Sequence, residues 1–223
     1  MQKELHHLSL NVLEAEMVLL LATLLALGDS GVSLLLPGSF HNDEVPADIS
    51  RRWHALCHTG SSWELTEVKV SVEAVHDPLL DRGKETTGWL ISTSCADPLL
   101  FVNSDAGVFE SGEVTPVLTM TGLMSPGSFF HLGEDEFISV DGTGVYYNSN
   151  GISQRLSDVY ENLYGEGVSI VWAGDLDGDG LTDIILDDCP HYAIYAGYRL
   201  FLSTCAETGE LLGEVAEFMA ISC

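Results

Sequence analysis

The chain has 223 residues, 34 of them Asp or Glu and only 8 Lys or Arg, for a formal net charge of −26. Such a surface repels phosphate backbones and anionic lipid, which excludes nucleic-acid binding as an expected role and favours cations as partners. Hydrophobic residues make up 46% and charged residues 19%, a balance that buries a core and argues against wholesale disorder.

Residues 2–28 read as a helical leader, rich in apolar residues and free of Gly and Pro before Gly28. Within it, Met17–Leu27 (MVLLLATLLAL) is too short for a membrane span, which takes about 20 apolar residues. Its length suits the apolar region of a signal peptide, and Ala26-Leu27-Gly28 offers small residues for cleavage before Asp29. Glu14 and Glu16 stand where a signal peptide carries positive charge, so a helix belonging to the fold is the competing reading. We take 1–28 as a signal peptide and expect a secreted, cell-surface or periplasmic protein with no stable membrane span.

From Asp29 onward Gly, Pro, Ser and Asn recur, and residues 29–223 read as one β-rich domain. Asp48–Leu56 is the one short helix expected there, with Pro46 before it and Ile49, Trp53 and Leu56 on one face. Thr66–Val75 alternates strictly, with Val68, Val70 and Val72 on one face and Lys69, Ser71 and Glu73 on the other, as a half-buried strand does. Further strands are expected at Gly31–Leu36, Gly88–Thr93, Leu99–Asn103, Val114–Met120, Glu136–Asp141 and Gly144–Asn148, then at Val168–Ala173, Thr182–Leu186, Tyr198–Ser203 and Leu212–Phe218. Turn pairs such as Asp141-Gly142 and Asn150-Gly151 separate them. This punctuation predicts a mainly β fold, an antiparallel sandwich or barrel with few short helices.

Cys57, Cys95, Cys189, Cys205 and Cys223 all follow the leader, and none forms a C-x-x-C pair, so a zinc site of that type is unsupported. In an oxidising compartment they allow two disulfides and one free thiol; Cys205 with Cys223 is the preferred pair. The four tryptophans, Trp53, Trp63, Trp89 and Trp172, are expected in the core.

The informative segment is Gly174-Asp175-Leu176-Asp177-Gly178-Asp179-Gly180-Leu181-Thr182-Asp183. With Asp175 as position 1, carboxylates fall at positions 1, 3, 5 and 9 and Gly180 at position 6. A hard cation such as Ca²⁺ takes six to eight oxygens, and alternate residues of a tight loop turn their side chains toward one point. Gly180 permits the bend, and the Leu181 carbonyl supplies an uncharged oxygen. Without a cation the carboxylates repel, and their pKa values are expected to rise. A helix-loop-helix calcium hand needs a bidentate Glu at position 12, but Leu186 stands there. The flanking segments read as strands instead.

Val171 to Ile185 resembles the FG-GAP calcium repeat, of the integrin-α-like or VCBS type, over roughly residues 168–205. The resemblance implies a strand-loop-strand unit that binds Ca²⁺ through Asp175, Asp177, Asp179 and Asp183 as side-chain ligands and Leu181 as backbone ligand. Repeats of that family usually build seven-bladed propellers. Only one copy occurs here and the chain is too short for such a propeller, so the calcium chemistry is carried over and the adhesive role is not. The expected function is a non-catalytic binding or surface module with a structural Ca²⁺. The alternative is a secreted hydrolase. Gly28-Asp29-Ser30-Gly31 resembles the nucleophile block of GDSL esterases, and Asp188-Cys189-Pro190-His191 matches their D-x-x-H spacing. Those enzymes are α/β, with helices between strands that this chain lacks.

Overall fold

The structure, a computed structural model, describes residues 31–41, 44–45, 49, 51–158, 167–188 and 194–221. The leader, with Ser30, lies outside the described residues, as do Cys189, His191 and Cys223. Seventeen strands follow one another in the described residues, with no α-helix among them. None of their helices is long and apolar enough to cross a membrane. The first nine strands are β1 (Val32–Leu35), β2 (Gly38–Phe40), β3 (Trp53–His58), β4 (Trp63–Val68), β5 (Ser71–Val75), β6 (Gly88–Ser92), β7 (Pro98–Ser104), β8 (Gly112–Val114) and β9 (Pro116–Thr119). The rest are β10 (Phe129–His131), β11 (Glu136–Val140), β12 (Gly144–Ser149), β13 (Ile152–Asp158), β14 (Val168–Gly174), β15 (Asp183–Asp188), β16 (Ile194–Leu202) and β17 (Gly213–Ile221).

They form four open antiparallel sheets, with no closed barrel. Sheet I runs β1-β7-β3-β4-β8 and sheet II β2-β6-β5; sheet III runs β17-β16-β15-β14-β9 and sheet IV β10-β11-β12-β13. Sheet IV and the β14–β17 part of sheet III are simple meanders, each strand pairing with the next. At Asn150-Gly151 the hairpin joining β12 to β13 has φ of 51° and 80°, the two left-handed residues that a tight hairpin of this twist demands.

Sheet III holds the molecule together because both of its faces are buried. Ile170, Ala173, Ile184, Leu186 and Phe201 join a hydrophobic cluster with Ile138, Val140, Val145, Tyr147 and Leu156 of sheet IV. Trp172, Ile185, Leu200 and Leu202 join a second cluster with residues of sheets I and II, among them Leu56, Leu100, Val102 and Ile91. A strand covered on both faces is apolar at successive positions, which is why β14 and β15 carry hydrophobic runs rather than an alternation. A bulge beside Val171 shifts the register there and lets Val171 and Trp172 enter the same cluster.

Three expectations are corrected. Residues 53–58 are a strand, not the end of a helix: β3 is the inner partner of β4 and β7, and Trp53, Ala55 and Cys57 are buried in the core. The pattern at Thr66–Val75 is split between sheets I and II after Val68, and Val114–Met120 is split between sheets I and III at Thr115. Among the described residues the disulfide is Cys57–Cys95, which ties β3 to the β6–β7 connection, and Cys205 is a free thiol, so the Cys205–Cys223 pairing is overturned. Trp53 and Trp172 are fully buried, and Trp63 and Trp89 pack against the core half-buried.

Candidate metal centre

The aspartate loop joins β14 to β15. Its entry is fixed by Gly174, where a Cβ would come within 2.8 Å of both the Thr115 carbonyl and the Trp172 ring. Gly178 and Gly180 take φ of 83° and 85°, left-handed values that glycine adopts freely and that turn the chain back twice within the loop. The bend expected at Gly180 is therefore present, and Gly178 supplies a second.

Each aspartate is held by donors. Asp175 accepts the Gly178 N–H at 2.7 Å and the Gly180 N–H at 2.9 Å. Asp177 accepts the Asp179 N–H at 3.3 Å and the Thr204 hydroxyl. Asp179 accepts the Leu181 N–H at 2.7 Å and the Ser203 hydroxyl at 2.6 Å. Asp183, wholly buried at the start of β15, accepts the N–H groups of Leu176 (2.8 Å), Asp177 (3.2 Å) and Ser203 (2.9 Å).

Asp175, Asp177 and Asp183 bring one carboxylate oxygen each to within 4.8 Å of one another, so the group has the geometry to hold a metal ion. The donors are all oxygens, the set that hard cations take. A carboxylate has about four lone-pair sites, so its N–H bonds leave room for a metal. Asp179, expected as a fourth side-chain ligand, lies outside that group and is turned to Ser203 and the Leu181 N–H. Leu181, expected to offer its carbonyl, has an exposed side chain at the loop tip.

The electrostatics follow from burial. Desolvation pushes the Asp183 carboxyl up to about 7, against the Ser203 N–H bond, and the Asp177 charge adds to it. Asp177 is raised as well, again chiefly by burial, with the Thr204 hydroxyl opposing and the charges of Asp179 and Asp175 adding. No ion pair from Lys, Arg or His reaches the four loop aspartates among the described residues.

Two further segments hold the loop by hydrogen bonds, and neither is visible in the motif. Ser203 and Thr204 belong to a single 3₁₀ turn, Ser203–Cys205, after β16. That turn rests on the first residue of β17: a Cβ on Gly213 would lie 2.1 Å from the Cys205 carbonyl oxygen. On the other side, the Thr182 hydroxyl donates to Glu136 of β11 at 2.8 Å and ties the loop to sheet IV. Glu134 and Asp135 are exposed, whereas Glu136 of the same acidic run takes this structural part.

Of Ser30, Asp188 and His191, the residues of the esterase alternative, Asp188 alone can be placed. Ser30 and His191 lie outside the described residues. Asp188 accepts the Ser157 hydroxyl and, at 3.0 Å, an N–H of Arg199, which also pairs with Glu214 and donates to the Leu156 carbonyl. That carboxylate therefore clamps sheet III to sheet IV. Comparison of the chain with protein-family models, with curated proteins and with solved structures finds no match.

Proposed function

We propose that this is a secreted, calcium-stabilised β protein, a non-catalytic binding or surface module whose Asp175–Asp183 loop holds one structural Ca²⁺. The observation that carries the reading is the convergence of Asp175, Asp177 and Asp183 on one point with no ion pair from Lys, Arg or His reaching them among the described residues. Uncompensated carboxylates in a partly buried site are costly, and a divalent ion offsets that cost. Oxygen-only donors and an acidic loop favour Ca²⁺ over softer metals. The strand-loop-strand path from β14 through β15 to β16 supports the resemblance to an FG-GAP unit. A disulfide between Cys57 and Cys95 supports an oxidising compartment.

Bound calcium adds its binding energy to folding, because the unfolded chain has no assembled site. Thermal unfolding tests this. With calcium at about 5 mM, above the range of weak extracellular sites, the melting temperature rises relative to excess EDTA. In Asp177→Asn the rise is lost or much reduced. An equal melting temperature in calcium and EDTA for the unsubstituted chain removes the reading.

A further inference from the structure

We propose that the open edge of β5 is a docking site for an acidic, extended strand of a partner protein. β5 ends sheet II, and among the described residues no strand pairs with its other edge. An edge strand offers a row of backbone N–H and C=O groups that a further strand can join. Proteins blunt such edges with Pro, a bulge or an inward-pointing charge. β5 has none of these. Its register with β6 runs unbroken from Ser71↔Ser92 to Val75↔Gly88, and its inner face carries Val72 and Ala74.

That inner face is uncovered. Residues opposite one another in a ladder share a face of the sheet. Val72 stands opposite Ile91 of β6, which is buried in the core, and Ala74 stands opposite Trp89, which packs against the core. Phe40 of β2, opposite Trp89 on its other side, is buried there too. Val72 is nevertheless 38% exposed, and Ala74 is exposed as well. The apolar layer of sheet II thus extends one strand further than the residues that cover it. A strand added beside β5 brings apolar side chains onto that layer at every second position.

The charges give the sign of the partner. Among the described residues Arg51, Arg52, Arg155 and Arg199 each pair with a carboxylate. Lys69, Arg82 and Lys84 are exposed and have no such pair, in a chain with 34 Asp and Glu. They flank β5: Lys69 lies two residues before it, and Arg82 and Lys84 lie in the connection that follows. The aspartates of that connection are already engaged. Asp77 pairs with His41 at 2.5 Å and accepts the Leu79 N–H at 2.9 Å, and Asp81 accepts the N–H groups of Asp77 and Thr87 at 2.8 Å. With a Debye length of about 8 Å at 0.15 M salt, the three cations outweigh the distant acidic surface at the ends of the strand. Glu73, on the outer face at the middle of β5, disfavours a carboxylate there. The occupant is therefore an extended segment, apolar at alternate positions, with carboxylates toward its ends.

The test uses the full chain with calcium present and the end-blocked peptide Glu-Val-Thr-Val-Thr-Val-Glu. The peptide is titrated to about 1 mM by calorimetry in 0.15 M NaCl, a range that reveals sub-millimolar binding. The expected result is saturable one-to-one binding. Gln in place of both glutamates weakens it about fivefold, and Pro in place of both threonines, which cannot donate to a ladder, removes it. In the chain, Val72→Asp removes binding by placing a charge on the apolar face, and Lys69→Gln and Lys84→Gln each weaken it about two- to fivefold. All three positions are exposed, and a retained cooperative thermal transition reports an intact fold. No binding of the peptide at that limit overturns the proposal, as does equal binding of the Pro-containing peptide or binding unchanged in Val72→Asp. A concentration-dependent dimer of the chain, seen by ultracentrifugation and lost in Val72→Asp, makes a second copy the occupant and also overturns it. The edge shares no residue with the aspartate loop, so Asp177→Asn binds the peptide as the unsubstituted chain does, and the two tests fail separately.

Discussion

Asp183 carries two loads that pull in opposite directions. Its carboxylate accepts three backbone N–H groups, from Leu176, Asp177 and Ser203, and so closes the loop onto the turn after β16. Burial and the neighbouring Asp177 charge meanwhile disfavour its ionised form. A bound metal ion would resolve the conflict by supplying the missing positive charge. Without a metal the hydrogen bonds still hold the loop, which predicts that Asp183→Ala is destabilising even in EDTA. Three backbone N–H groups, one buried and two partly buried, lose their acceptor, at about 1 kcal/mol each, for a total of about 3 kcal/mol. Urea unfolding in EDTA measures it; a loss below about 1 kcal/mol contradicts the assigned role of the hydrogen bonds. At this scale the sequence was informative. The alternation of aspartates and the position of Gly180 mark the loop, because a cation site needs those residues at that spacing. Ser203, Thr204 and Glu136 were not legible: they reach the loop from the turn after β16 and from β11, and only the folding of the sheets brings them there.

Sheet III is the element that positions the centre, and its acidic side offers a test of its own. Glu217 of β17 stands opposite Arg199 in the ladder. Although Glu217 is exposed, its carboxyl is partly desolvated on the sheet, which raises its pKa above the ordinary 4.5; the Glu214 charge adds to that, and Arg199 partly opposes it. A carboxyl whose folded pKa is raised holds its proton longer in the folded state than in the unfolded one. The penalty is therefore absent below the unfolded pKa and grows as pH rises through the folded value. Glu217→Gln is predicted to raise the melting temperature at pH 7.5 and to leave it nearly unchanged at pH 4. An equal effect at both values rules out ionisation as the cause. The strand positions of this sheet were largely readable from its β-branched runs. The strand at Trp53–His58 was not: Ile49, Trp53 and Leu56 fit a helical face as well as a strand covered on both faces. Short apolar runs leave that choice to tertiary contacts. Sheet assignment was equally hidden, since the alternation through Val70 continues past the point where the chain leaves one sheet for another.

At the scale of the whole molecule, a charge of −26 is a standing cost to the compact state, spread over a surface with few cations. Salt screens such repulsion, with a Debye length of about 3 Å at 1 M against about 10 Å at 0.1 M. The melting temperature in EDTA is predicted to rise between 0.05 and 1 M NaCl, as followed by circular dichroism; a flat or falling curve contradicts the account of the charge. Screening and specific binding are separable, because diffuse screening needs no particular aspartate. The central claim is that one loop holds one ion, and calorimetric titration of the EDTA-stripped, dialysed chain with CaCl₂ in 0.15 M NaCl tests it most directly. The account predicts a single saturable site with a Kd on the order of 10⁻⁴ to 10⁻³ M or tighter, absent in Asp177→Asn. Saturable binding of the same strength in that variant, or no binding by the unsubstituted chain, contradicts it.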